Sequence, residues 1–189
     1  MPASIAGFVH FKPAISSPTA FTLKPYLTPS HPNKSFMTTQ LKQANASDAE
    51  QLQTIAIQAF SKDAEQYGAY PPGIESLPWH FEQIAKGHYY TIEYNGELAG
   101  GMLMVPLSNS EMEIKYFFIT DSLQNKQIGS AAMALVEQCY PAISVWHLVT
   151  PNKAFRNQHF YQKLGYKKVG EMQPRPNDPF TLFEYKKVL

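Results

Sequence analysis

The chain of 189 residues is 44% hydrophobic, enough apolar surface for one ordinary core and too little for two comfortable domains. Its formal net charge of +1 and 16% charged residues leave no cationic excess to hold a phosphate backbone, so nucleic acid is not an expected partner and a small molecule is. Cys139 is the one cysteine, which precludes an internal disulfide or thiolate cluster and suits a reducing, cytoplasmic setting; the six histidines lack metal-ligand spacing, and no apolar run approaches the roughly 18 to 20 residues that span a membrane.

From Met1 to Ser47 there is no Asp or Glu, and Pro2, Pro13, Pro18, Pro25, Pro29 and Pro32 block helix and central strand alike. Residues 1–36 are therefore expected to form a disordered extension, or to reflect a start upstream of Met37; a targeting peptide shares the missing acids but is usually Arg-rich, and this stretch has no Arg. A single domain is expected over residues 37–189.

"TTQLKQA" predicts a first strand, and Ser47 with Glu50 has the S-x-x-E spacing of a helix start. The helix that follows presents Leu52, Ile55, Ala56 and Ala59 on one face. "YGAYPPG", residues 67–73, must be a loop, and a short helix carrying Leu77, Phe81 and Ile84 comes next. "HYYTIEY" and "ELAGGMLMV" flank Asn95-Gly96, a dipeptide suited to a tight hairpin. "EMEIKYFFIT" is a strand, "SAAMALVEQ" lies in a helix, "AISVWHLVT" is a strand, and "AFRNQHFYQKL" is a helix stopped at Gly165. "YKKVGEM" and "FTLFEYKKV" close the sheet, and the sequence has no internal repeat.

The turn "LQNKQIGS" joins a strand directly to a helix, whose first N–H groups carry partial positive charge and favour an anion such as phosphate. Gly129 allows close backbone approach, while Ser130 and Lys126 add a hydroxyl and a mobile cation. A plain helix start whose glycine packs on the sheet is the competing reading of the same residues.

Two motifs and the order of elements resemble the GCN5-related N-acetyltransferase (GNAT) family over about residues 38 to 189. "QNKQIGS" is similar to the family's acetyl-coenzyme A loop, Q/R-x-x-G-x-G/A, with Gln124 leading and Gly129 as the second glycine; Gln127 replaces the first. "NQHFYQKLGYKKVGE" is similar to the late helix and following strand, where an aromatic-Tyr pair precedes K-x-G-[FY]. The implied fold is α/β (α+β), a central mixed, mostly antiparallel sheet of about seven strands flanked by about four helices.

The resemblance implies acetyl-CoA as cosubstrate, held by the loop residues Gln124, Asn125, Lys126, Gln127, Ile128, Gly129 and Ser130. It places the backbone N–H of Phe117 at the thioester oxygen, with Phe118 and Ile119 along the pantetheine arm and Asn157 as a further contact. Tyr161 falls at the family's general-acid tyrosine. Glu113, eleven residues before Gln124, falls where histone-type members carry their glutamate base; Glu111 or His147 could substitute, or water alone could take the proton. Tyr67, Tyr70 and Trp79 belong to the variable acceptor segment, as an aromatic wall or as packing. The expected reaction is direct acetyl transfer to a primary amine of a small molecule or peptide, with a homodimer left open. The alternative is a non-catalytic acyl-CoA-binding or regulatory module of the same fold.

Overall fold

Strand and helix alternate because apolar residues recur at period two in some segments and near period 3.6 in others. The computed structural model describes residues 38–174 and 180–189; the extension at residues 1–36, and Met37 with it, lies outside the described residues. Seven strands form one sheet: β1 (Thr39–Gln43), β2 (Tyr89–Tyr94), β3 (Glu97–Pro106), β4 (Glu111–Ile119), β5 (Val145–Pro151), β6 (Lys167–Met172) and β7 (Leu182–Val188). Their spatial order is β1-β2-β3-β4-β5-β7-β6, and only β4 and β5 run parallel. The described residues also form four α-helices: α1 (Ala49–Tyr67), α2 (Leu77–Ala85), α3 (Ile128–Cys139) and α4 (Phe155–Lys163). This is the mostly antiparallel open sheet expected from the sequence, with β7 inserted between β5 and β6.

Helices cover both faces of the sheet, giving two cores. On one face Leu52, Ile55 and Ala56 of α1 pack with Tyr89, Leu103 and Phe118. On the other, Ile128, Ala132, Met133 and Val136 of α3 and Tyr161 of α4 pack with Ile92, Met102, Ile114, Trp146 and Leu148. The β2–β3 hairpin turns at Asn95 (φ 54) and Gly96 (φ 86), the two positive dihedrals that Asn-Gly tolerates. Gly100 and Gly101 let β3 lie against β4 very closely. A Cβ on Gly100 would overlap the carbonyl oxygen of Phe118, and one on Gly101 would approach that residue's ring at 2.5 Å.

Two local expectations are corrected. The first helical segment is not capped by Ser47 and Glu50. The cap is a box two residues earlier, in which Asn45 Oδ1 accepts from Ser47 N at 2.9 Å and Asp48 Oδ2 accepts from Asn45 N at 2.8 Å, opening a 3₁₀ turn (Ala46–Asp48) that runs into α1. In α2 the buried residue is His80, at 0% exposure, whereas Phe81 is 41% exposed. The reason is polar: one ring nitrogen of His80 lies 2.9 Å from the Ile74 carbonyl and the other 3.2 Å from the Tyr89 hydroxyl, so both are satisfied within the core.

Candidate active site

The site begins where the sheet comes apart. β4 and β5 pair from Glu111↔Val145 to Ile114↔Leu148 and no further, although β4 continues to Ile119 and β5 to Pro151. The cause lies on the other edge of β4. Its pairing with β3 slips by one residue between Leu103/Met104, leaving Lys115 as the extra residue of a bulge, and bulges bend the strand that carries them. Beyond Lys115, β4 follows β3 and leaves β5, which stays with β7 as far as Pro151↔Leu182. A wedge-shaped gap results.

The gap has polar backbone on its wall. The Phe118 carbonyl and the Thr120 N–H both point toward β3. Since the N–H and C=O of one strand residue share a direction and alternate along the strand, those of Phe117 and Ile119 point into the gap. The Ile119 carbonyl is taken by Gln124 Nε2 at 3.0 Å. The Phe117 N–H has no partner on β5, because the ladder has already ended.

At the end of β4 a 3₁₀ turn (Asp121–Leu123) leads to the loop, and its leading glutamine is held on three sides. Gln124 Nε2 also donates to Asp121 Oδ1 at 2.9 Å, and Gln124 Oε1 accepts from Arg156 at 2.8 Å. The same guanidinium donates to Asn125 Oδ1 at 3.0 Å. Arg156, in the first turn of α4, thus clamps the loop; sequence reading passed it over, because no local pattern links a helical arginine to a loop some thirty residues earlier. Lys62 Nζ contacts Asp121 Oδ2 at 2.8 Å and ties the turn to α1.

Asn125 and Gln127 are left-handed, with φ 64 and φ 62. Gln127 stands where the motif has its first glycine, and the dihedral explains the glycine: a residue with a Cβ is strained there by about 1 kcal/mol. Gln127 is also the N-cap of α3 and makes no side-chain capping bond, and the first turn of α3 holds no acid. Among the described residues no hydrogen bond engages the backbone N–H groups of Asn125 through Ser130. A run of unpaired donors at a helix start, beside Lys126 and Arg156, can receive an anion.

The loop backs onto aromatic rings. Phe117 is stacked on Phe160, with centroids 6.0 Å apart and planes at 17°. A Cβ on Gly129 would lie 3.3 Å from Phe160 Cζ and 3.4 Å from Phe117 Cζ, so the missing side chain serves this packing and does not leave an opening for a ligand. Ile128 and Ile119 are buried in the same core, Phe118 is buried in the opposite one, Ser130 is half-buried, and Asn157 is exposed on α4 with no side-chain partner among the described residues. Tyr161 is buried, its ring against Phe160 and Tyr166. Burial pushes its phenol well above the usual range, no described group bonds its hydroxyl, and that hydroxyl is not among the sealed ones.

On the other face, Glu113 is half-buried and its charge, after burial itself, helps to raise the Tyr116 phenol, whose hydroxyl donates to the Pro72 carbonyl at 2.9 Å. Glu111 and His147 are instead paired with each other at 2.9 Å. The three aromatic acceptor candidates separate. Trp79 packs under the loop against Gly73, His80 and Tyr116. Tyr70 lines a cavity of about 730 Å³ between the end of α1 and the 68–76 loop. Tyr67 leans on Phe180, centroids 4.8 Å apart, beside the gap.

With this geometry in hand, comparison with known proteins is informative. The acetyltransferase (GNAT) family model matches residues 50–166. Among solved structures, the PaiA N-acetyltransferase of Thermoplasma acidophilum in complex with coenzyme A aligns at TM-score 0.67 and 16% identity, over 81% of this chain and 100% of that one. An acetyltransferase from Thermus thermophilus gives TM-score 0.67 and 16% identity over 81% and 98%. Arabidopsis thaliana Naa50, in complex with the bisubstrate analogue CoA-Ac-MVNAL, gives TM-score 0.61 and 15% identity over 80% and 99%. Comparison with curated proteins finds no match.

Proposed function

Because the chain belongs to the acetyltransferase (GNAT) family, we propose that it transfers the acetyl group of acetyl-CoA directly to a primary amine of a small molecule or peptide. The observation that carries this reading is the alignment of two unfilled features: the β4/β5 gap, with the Phe117 N–H facing it, and the unpaired N–H groups from Asn125 to Ser130 at its end. A flexible arm ending in a diphosphate fits both. Acetyl-CoA would supply an activated acyl group on a good leaving thiolate.

The chain's own residues divide the remaining work. The N–H groups of Asn125 to Ser130, with Lys126 and Arg156 nearby, would neutralise the diphosphate. The Phe117 N–H would polarise the acetyl carbonyl as charge develops on its oxygen. Tyr161 stays protonated at neutral pH because burial raises its phenol, so it can give its proton to the departing sulfur as the C–N bond forms and the C–S bond breaks. Glu113, on the opposite face, would take a proton from the amine, directly or through water. Tyr67 and Tyr70 remain candidates to line the acceptor's approach, whereas the packing of Trp79 suits a supporting role.

No helix among the described residues is long and apolar enough to cross a membrane, and the exposed thiol of Cys139 suits the reducing cytoplasm. Release of free thiol from acetyl-CoA against a broad amine panel tests the reading. Turnover with at least one amine supports it, whereas tight acetyl-CoA binding without turnover on any amine would favour a non-catalytic acyl-CoA-binding module.

A further inference from the structure

The face of α1 that meets the sheet reads Leu52, Ala56, Phe60, Asp63, Tyr67, steps of three or four residues that keep all five on one stripe. Four of them have an apolar role. Leu52 and Ala56 are fully buried, Phe60 stands edge-on to Tyr116 and Phe118 of β4, and Tyr67 lies against Phe180, which leads into β7 beside β5. Between Phe60 and Tyr67 the helix therefore crosses from the β4 side of the gap to the β5 side, and Asp63 is the residue over the crossing.

Nothing among the described residues accounts for an acid at this place. Among the described residues Asp63 makes no hydrogen bond and no ion pair; the neighbouring Lys62 is turned away to Asp121. Asp63 is half-buried, and that burial raises its carboxyl above the usual range. One turn on, the Tyr67 hydroxyl is sealed and likewise lacks a partner. An unpartnered carboxylate among aromatic rings costs stability, so what it offers must be sought in what it binds.

We propose that Asp63 is the acceptor-recognition residue, receiving the ammonium group of a cationic amine at the mouth of the gap. This deepens the acetyl-transfer reading and rests on it for the gap being the reaction site. The physical need is plain. An alkyl amine with a pKa near about 10 arrives almost wholly protonated at neutral pH, and the hydration its ammonium gives up in a half-buried site costs free energy that a facing carboxylate offsets. Asp63 supplies that charge. The ammonium then gives one proton to Glu113 or water before the neutral nitrogen attacks, the second proton it sheds as the amide forms replaces the one Tyr161 gives to the sulfur, and the neutral amine no longer holds Asp63.

The test titrates n-butylamine, and 1-butanol as its uncharged counterpart, into the full chain saturated with coenzyme A, with amide chemical shifts as readout. Asp63→Asn should weaken n-butylamine at least tenfold, leave 1-butanol and coenzyme A unchanged, and raise the melting temperature of the free protein, because it removes an unpaired, half-buried charge. A purely structural Asp63 would lower that temperature instead. Equal n-butylamine affinity in the two proteins, or no n-butylamine binding by the wild type, overturns the proposal. Asp63-dependent binding with no thiol release on any amine would contradict acetyl transfer and leave this proposal standing. Turnover with an Asp63→Asn KM equal to wild type would do the reverse.

Discussion

The two halves of the molecule treat their helix starts differently. Before α1, Asn45 and Asp48 cap each other's backbone in a closed box, and at α2 the Ser76 hydroxyl accepts from Trp79 N; nearby, His80 has both ring nitrogens bonded. At α3 there is no cap, the N-cap residue Gln127 is strained into a left-handed conformation, and the preceding loop is held open by Arg156. A side-chain cap is worth about 1 kcal/mol, and α4 also starts without one, at Ala154; what sets α3 apart is the run of N–H groups from Asn125 to Ser130 that no described group engages, which leaves a place for an anion to accept from them. On the proposed reading the closed half is scaffold and the open half is site.

Tyr161→Phe gives the largest expected break in that comparison. It removes the one oxygen that the open half would use for proton transfer and keeps the packed ring, so turnover should fall about 10² to 10⁴ fold while acetyl-CoA affinity holds. Thiol release under saturating substrates measures it, with a pre-steady-state burst as the check that chemistry limits the rate. Next is Gly129→Trp. An indole cannot share space with Phe117 and Phe160, so it must displace the start of α3 and should weaken acetyl-CoA by well over tenfold in calorimetry while the closed half keeps its fold.

Asn45→Ala, in the closed half, should cost about 1 kcal/mol of stability and leave acetyl-CoA binding untouched. Its mirror is Gln127→Gly, which should gain up to about 1 kcal/mol by relieving the left-handed strain. The smallest effect is a slope with pH. Burial holds His80 and His88 below their usual value, so between the folded and unfolded values the unfolded chain binds more protons. Stability from these groups is therefore complete above about pH 6.5 and declines as pH falls below it. Melting curves from pH 7.5 to 5 should show the decline, and His80→Gln should flatten it.

Much of the fold was legible because its signals are local. Asn95-Gly96 fixes a hairpin, Gly165 (φ 90) ends α4, and the alternation along β5, with Trp146, Leu148 and Thr150 buried, is a strand pattern in any context. What was not legible depends on partners distant in sequence. Phe81 looks like a core residue and His80 like a surface one until Ile74 and Tyr89 are seen to bond the imidazole. The loop motif was readable, but the reason it has a glycine where this chain has Gln127 lies in a dihedral angle, and Arg156 meets the loop only because α4 returns to the end of β4. Likewise Gly129 reads as room for a ligand until the rings of Phe117 and Phe160 are found there.

The central claim is that the uncapped start of α3 is the coenzyme A diphosphate site. Its most direct test is an amide ¹H–¹⁵N titration of the full chain with coenzyme A. The account predicts that the largest shifts fall on the backbone N–H groups of Asn125 through Ser130 and on Phe117, with those of Asn45 to Ala49 and Ser76 to Trp79 unmoved. Saturable coenzyme A binding that leaves Asn125 through Ser130 unshifted would contradict it.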